Sequence, residues 1–220
     1  MATFLVRVWV SDRPGALGEV ASRIGSVKGD LIGIDILERG GGRAIDELVV
    51  ELPDAALAPL LVSEVGSLDG VDVEDLRPLE AGPVDQRLDA LETAAALVRE
   101  ASVPALLESL VRSSVEGFVA DWVAVLDGAS VLDGAAGLAA SVGPVPPGAW
   151  LEAFVAGSRQ AASHVGPEDV AWADMAGSSM VVVLGRQGRP WRERERRQLT
   201  ALAGIVDHRL TELRTGSRGR

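Results

Sequence analysis

The hydrophobic period of this chain changes repeatedly between two and about 3.6 residues over its first 78 positions. A period of two is typical of a half-buried strand, and one of about 3.6 is typical of a helix with one buried face. The changes predict, in order, a strand at 3–10, a helix at 17–28, strands at 32–36 and 45–52, a helix from 53 and a strand at 71–76. This β-α-β-β-α-β order is the ferredoxin-like split unit, so the predicted class is α+β.

The remainder of the chain predicts a second domain after a short linker. Residues 80–86, which include Gly82 and Pro83, interrupt both periods. The pattern beyond them predicts a helical region at 86–115 split near Pro104, a strand at 122–126, a short strand after 128, a loop at 134–148, a helix at 150–162, a hairpin at 170–185 and a helix at 191–214. The predicted domains are therefore 1–79 and 87–214, followed by a polar tail at 215–220.

Composition excludes several kinds of site and partner. The net charge of −11 argues against a nucleic-acid partner, because duplex affinity depends on Lys and Arg at the phosphates. With no cysteine and two histidines, the chain offers no thiolate nucleophile, no disulfide and no His-rich metal site. No other nucleophile is paired with a base in the sequence, so we expect no metal, no cofactor and no enzymatic activity.

No apolar segment has the character of a leader or a membrane span. Arg7 and Asp12 interrupt the apolar residues at the N-terminus. The long uncharged segment 134–151 is too rich in glycine and proline for a membrane helix. We therefore expect a cytoplasmic protein without membrane contact.

Two groups of charged residues have alternative interpretations. Asp46 and Glu47 are adjacent on a predicted strand, so they face opposite sides and are poor acid–base partners. The arginines between Arg186 and Arg197 could contact phosphates. However, Glu193 and Glu195 are interleaved with them at spacings that allow helical ion pairs. We favour a solvated helix end, or docking onto the acidic remainder of the chain.

The segment Asp12-Arg13-Pro14-Gly15-Ala16-Leu17 joins the first predicted strand to the first predicted helix. The first-turn amides of a helix have no internal partner and carry partial positive charge, so they attract a carboxylate. Pro14 suits the first helical position, where its missing N–H is not needed. Gly15 has no side chain to obstruct a ligand. This junction is therefore the candidate binding site.

These six residues, in this order of elements, resemble the ACT domain family, a regulatory module that binds amino acids. The resemblance covers residues 3–78, and its motif residues fall at Asp12, Gly15, Ala16 and Leu17. It implies that two copies pair side by side into a continuous sheet and bind a small ligand at their interface. A ligand-contacting position just before the second strand falls at Asp30. An ionised carboxylate there accepts from an ammonium group but cannot donate to a carboxylate.

Each of these residues also has a purely structural interpretation. Asp12 is suited to cap the helix or to organise the turn, Gly15 to allow close packing, and Asp30 to be an exposed turn residue. Many ACT domains serve for dimerisation alone. The alternative function is therefore a structural dimerisation or protein-interaction module with an empty ACT site.

The second predicted domain resembles GAF-like domains, though less closely. The resemblance is carried by residues 117–126, residues 180–185, and Trp191 followed by Glu195 and a leucine-rich terminal helix. It implies an α/β sandwich that binds a small molecule or mediates dimerisation.

Together these features predict a non-enzymatic regulatory protein that binds an amino acid at a homodimer interface. The ligand carboxylate would meet the amides after Pro14, and its ammonium group would meet Asp12 or Asp30. The second domain would respond to the ligand or add dimer contacts, and a separate protein partner is possible. The predicted ligand-binding residues are Asp12, Arg13, Pro14, Gly15, Ala16, Leu17 and Asp30.

Overall fold

The computed structural model describes residues 1–79, 86–128, 137–160 and 167–218. The chain forms two compact units, Met1–Gln86 and Arg87–Arg220. Each unit contains a four-stranded antiparallel sheet with helices packed against it, so the class is α+β. In the described parts of the chain, no helix is both long and apolar enough to cross a membrane.

The first unit has the predicted β-α-β-β-α-β order. Its elements are β1 (Ala2–Ser11), α1 (Ala16–Ser26), β2 (Asp30–Gly40), β3 (Arg43–Leu52), α2 (Ala58–Gly66) and β4 (Asp72–Leu79). The strands lie in the order β2-β3-β1-β4, so β2 and β4 are the outer strands. Strands β2 and β3 are longer than predicted, and the turn between them is correspondingly shorter. Only Gly41 and Gly42, both with positive φ, form this turn.

Alternation along β1 and β3 assigns every residue of these strands to one of two faces. Val6 and Val8 of β1 lie opposite Leu48 and Asp46 of β3. Cross-strand partners share a face, and Val6, Val8 and Leu48 belong to the core that α1 and α2 cover. We call this the helix face. Asp46 therefore lies on the helix face of the sheet, among apolar neighbours.

The opposite face of the sheet contains a buried ion pair. Nη2 of Arg7 on β1 lies 2.7 Å from Oε1 of Glu47 on β3, and Nε donates to the same oxygen at 3.1 Å. Asp46 and Glu47 thus face opposite sides, as the strand pattern predicts.

The second unit is a three-layer arrangement around its own sheet. Its elements are α3 (Gln86–Arg99), α4 (Val103–Phe118), β5 (Trp122–Asp127), β6 (Leu138–Val142), α5 (Gly148–Gln160), β7 (Val170–Met175), β8 (Met180–Gly185) and α6 (Glu193–Arg218). The strands lie in the order β6-β5-β8-β7. Residues of α4 and α6 pack on one face of this sheet, and residues of α5 pack on the other. The predicted central position of β8 is confirmed, and all six of its residues are buried.

Two predictions for the second unit are wrong. Residues Leu138–Val142 form a strand inside the predicted loop at 134–148, because their backbone pairs with β5 although their side chains are largely exposed. The terminal helix continues to Arg218, past the predicted end at 214. The predicted strand directly after 128 and most of the linker, 80–85, lie outside the described residues.

Arg186, the residue after β8, joins several segments of the second unit through its hydrogen bonds. Its side chain is only 3% exposed. The guanidinium donates to both carboxylate oxygens of Glu195, at 2.8 and 2.7 Å, and to the carbonyl oxygens of Phe118, Arg189 and Pro190. It also lies 4.0 Å from the ring centroid of Trp191. The prediction of a solvated arginine run is therefore wrong at its first member.

We predict that Arg186→Met lowers the free energy of unfolding of the second unit by about 3–5 kcal/mol, because the largely buried Glu195 loses its bidentate partner and three carbonyl oxygens lose their donor. Denaturant unfolding followed by tryptophan fluorescence measures this change. A Trp9→Phe background restricts the signal to the second unit, which holds the other four tryptophans.

The matched control is Arg112→Met, which removes a guanidinium from an exposed ion pair with Glu108. We expect this substitution to change the unfolding free energy by less than about 0.5 kcal/mol. Equal effects of the two substitutions would contradict the role assigned to Arg186.

Candidate functional site

The β1–α1 junction is an exposed turn that leads into a helix whose N-cap is a glycine. The amide of Asp12 donates to the carbonyl oxygen of Gly42 at 2.9 Å, which anchors the start of the turn to the β2–β3 hairpin. Gly15 has a φ of 91°, a left-handed conformation that favours glycine, and a Cβ built there would meet nothing within 4 Å. The helix begins at Ala16, so Pro14 precedes it by two residues and does not occupy its first position as predicted.

The predicted site residues divide into an exposed group and a packed group. Residues 12–15 are exposed. Ala16 is buried, and Leu17 packs against the core of the first unit. Ala16 and Leu17 therefore hold the junction in place, and residues 12–15 of the junction, together with Asp30, are accessible to a ligand.

Arg13 is engaged within the junction itself. Its guanidinium donates to both carboxylate oxygens of Glu19, at 3.0 and 2.7 Å. The hydrogen bond from Arg13 lowers the pKa of Glu19, and Glu19 in turn raises the pKa of Arg13. Both side chains are about half exposed, so solvent screens the pair. The pair links the turn to the first turn of α1.

Asp12 and Asp30 lie at opposite ends of the sheet within one chain. Asp30 begins β2 and pairs with Glu51, whereas Asp12 follows β1 beside the tip of the hairpin. The two ends of β2 are separated by about 30 Å at roughly 3.3 Å per residue. Both carboxylates are exposed and accept no hydrogen bond from any described residue, so the structure does not show Asp12 as a helix cap.

Asp46 is a candidate site residue that sequence reasoning missed. Its side chain is only 1% exposed, and Oδ1 has no hydrogen-bond partner among the described residues. Burial raises the pKa of Asp46; Arg39 opposes this effect, and Asp12 adds to it. The available signal was an acidic residue in the middle of the apolar strand Arg43–Leu52, on its core-facing side.

Arg39 lies on the same face of the sheet as Asp46, on the outer strand. It is exposed, and it is paired in register with Ala44, two residues before Asp46 on β3. Among the described side chains it forms no hydrogen bond or ion pair. The two residues are therefore diagonal neighbours on adjacent strands, and no ion pair joins them among the described residues.

The outer strand β2 also exposes apolar side chains. Ile34 is 47% exposed, and Ile32 and Ile36 are each 36% exposed. Ile34 and Ile36 are in register with Leu48 and Asp46, so both lie on the helix face. A long outer strand with exposed isoleucines is a favourable surface for pairing with another strand.

Comparisons with known proteins are weak throughout. No protein-family model matches the chain, and no curated protein matches it significantly. An unknown protein from Galdieria sulphuraria is similar at 17% identity and a TM-score of 0.32; the match covers 44% of this chain and 63% of that protein, less than two thirds of its length.

Two further solved structures match different lengths of the chain. The ACT domain from the GTP pyrophosphokinase of Chlorobium tepidum is similar at 14% identity and a TM-score of 0.28, over 36% of this chain and 86% of that domain. The free methionine-R-sulfoxide reductase from Neisseria meningitidis is similar at 17% identity and a TM-score of 0.42, over 62% of this chain and 96% of that protein. At such values, function must be argued from this chain's own residues, and the GAF-like assignment stays a prediction.

We predict that Asp46→Asn stabilises the first unit at neutral pH and that this advantage disappears in acid. Burial raises the pKa of Asp46 above its unfolded value of about 3.9. The folded chain therefore binds this proton more tightly than the unfolded chain, and it loses stability as pH rises from the unfolded to the folded pKa. The gain on substitution is about 1.4 kcal/mol for each pH unit that separates the two values.

Urea unfolding at pH 4 and at pH 7.5, followed by circular dichroism, measures this difference. Asp69→Asn is the control, since Asp69 is exposed in the same unit. An Asp46→Asn advantage of the same size at both pH values would show that ionisation of Asp46 is not its cause.

Proposed function

We propose that the first unit binds a free amino acid at a homodimer interface and that the protein is a non-enzymatic regulator. The observation that carries the proposal is the exposed β1–α1 junction, whose helix starts at a glycine with open space beside it. The amides of the first helical turn favour a carboxylate there. The fold and the junction resemble those of the ACT domain family, in which such a site regulates another activity.

Asp12 and Asp30 are too far apart in one chain to contact the same ligand, so a shared site requires a second copy. One chain keeps these residues at opposite ends of its sheet. Two β2 strands that pair antiparallel about a two-fold axis would set Asp30 of one chain opposite Gly40 of the other. That position adjoins the hairpin tip to which Asp12 is bonded. Each ligand site would then combine the junction of one chain with Asp30 of its partner.

The register of this pairing follows from the exposed isoleucines. A two-fold axis at Asp35 sets Ile34 of each chain opposite Ile36 of the other, which gives two equivalent contacts. Both residues lie on the helix face, so the two contacts bury apolar surface on the side where the helices pack. The two Asp35 side chains would meet on the other face, in the row that also holds Arg7.

The second unit would respond to the ligand or contribute contacts to the dimer. Binding can shift the equilibrium between two states of the dimer only by the difference in affinity between them. The alternative is a structural module whose junction binds nothing and whose β2 strand serves dimerisation alone.

We predict that at least one of the twenty standard L-amino acids binds the folded protein, as measured by isothermal titration. Gly15→Phe places a ring where the ligand carboxylate would approach, and we expect it to abolish the heat. Gly188→Phe, at another glycine of positive φ that faces open space, is the matched control because it carries the same backbone strain away from the junction. Absence of heat with all twenty, from protein shown to be folded, would exclude the amino-acid function.

The dimer register predicts opposite outcomes for two charge variants at the same positions. Ile34→Lys with Ile36→Lys places like charges opposite each other, and we expect a monomer. Ile34→Lys with Ile36→Glu places opposite charges together across the axis, and we expect the dimer to persist. Analytical ultracentrifugation distinguishes the two states.

Leu60→Lys is the control for added surface charge, because Leu60 is an exposed residue of α2 in the same unit. It should leave the dimer intact. Identical oligomeric states for the two isoleucine variants would exclude this register.

A further inference from the structure

Two opposite charges on the helix face of the first sheet are not joined to each other. Asp46 is paired in register with Ile36, and Arg39 with Ala44, so the two charged residues are diagonal neighbours on adjacent strands. Diagonal neighbours have Cα atoms roughly 7–8 Å apart. Arg39 is close enough to favour the ionised form of Asp46, yet no ion pair joins them in the described chain.

Among the described residues, Oδ1 of Asp46 lacks a hydrogen-bond donor, and Arg39 lacks an acceptor. Oδ1 of Asp46 is buried without a donor, which is costly unless a donor arrives from elsewhere. Arg39 is exposed, and its guanidinium carries donors in a planar fork that matches a carboxylate. A cationic donor would therefore satisfy the buried Asp46, and an anionic acceptor would satisfy the exposed Arg39.

The position of the pair connects it to the β1–α1 junction. Asp46 is paired across the sheet with Val8, three residues before β1 ends at Ser11 and the junction begins. Asp12, in the junction, is the second charged group that acts on Asp46. The α1 helix packs on the same face, with Val20 and Val8 in one core. The amide of Asp12 is bonded to Gly42, which lies between Arg39 and Asp46 in the hairpin, so the junction and the two charges are at the same end of the hairpin.

We propose that Asp46 and Arg39 recognise the two charges of an α-amino acid zwitterion. Oδ1 of Asp46 accepts a hydrogen bond from the ammonium group, and Arg39 donates to the carboxylate beside the amides of α1. This inference rests on the proposed function and makes Asp46, in place of Asp12 or Asp30, the partner of the ammonium group. It selects ligands that carry both charges over acids without an amine.

The test compares Asp46→Asn and Arg39→Gln with the unchanged protein. The probes are the twenty L-amino acids and, for each one that binds, its des-amino acid, all measured by isothermal titration. Asp46→Asn should weaken amino-acid binding at least tenfold and leave the affinity for the des-amino acid unchanged. Arg39→Gln should weaken the binding of both the amino acid and its des-amino acid.

Arg43→Gln is the matched control, because Arg43 belongs to the same hairpin but to the opposite face, where it pairs with Asp72 and lies over Trp9. It should leave the affinity for both ligands unchanged. Circular dichroism checks that each variant is folded, and Arg39→Gln tests the site independently from an exposed position.

The outcomes separate this inference from the function on which it rests. Amino-acid binding that is the same in Asp46→Asn, Arg39→Gln and the unchanged protein overturns the zwitterion site and leaves the proposed function standing. Absence of binding by any amino acid to the unchanged protein overturns both. A loss in Asp46→Asn that is equal for the amino acid and its des-amino acid also overturns the inference, because the ammonium group would then not be what Asp46 contacts.

Discussion

The pairing of β3 between β1 and β2 determines where the charges of the first unit lie. Strand alternation sends Asp46 to the helix face and its neighbour Glu47 to the other. Glu47 meets Arg7 there, whereas Asp46 is surrounded by apolar side chains. A slip of one residue in this register would exchange the two carboxylates and bury an unpaired Glu47 instead. The same register places Ile34 and Ile36 on the helix face of the outer strand, the surface used in the proposed dimer.

Two buried charges, Arg186 and Asp46, have opposite surroundings. In the second unit, Arg186 is saturated by Glu195 and three carbonyl oxygens, so its charge is compensated within the chain and holds β8 to the start of α6. In the first unit, Asp46 keeps an oxygen without a donor. Saturated buried networks make a structure rigid, whereas a buried group without a partner needs a separate explanation. In the proposed function, Arg186 stabilises the second unit and Asp46 recognises the ligand.

Much of the fold follows from periodicity, but the chemistry of individual residues depends on partners distant in sequence. The β-α-β-β-α-β order and the buried strand β8 were evident, because alternating and continuous apolar runs are local signals. Leu138–Val142 was not, since its strand depends on backbone pairing with β5 and its side chains are small and exposed. Arg186 resembled a solvated arginine because Glu195 and Phe118 reach it only in the folded chain. Asp46 was set aside for facing away from Glu47, and that same geometry buries it.

The opposite placement of Asp12 and Asp30 has a consequence for mixtures of variants. In the proposed two-fold dimer, each site would combine the junction of one chain with Asp30 of the other, so damage to the junction and damage to Asp30 would not be equivalent when they are carried by different subunits. A hybrid of a junction variant and an Asp30 variant would have one site built from two intact halves and one built from two damaged halves. Two inactive proteins, mixed and allowed to exchange subunits, would then regain binding at half of the sites in each hybrid, as in genetic complementation between alleles.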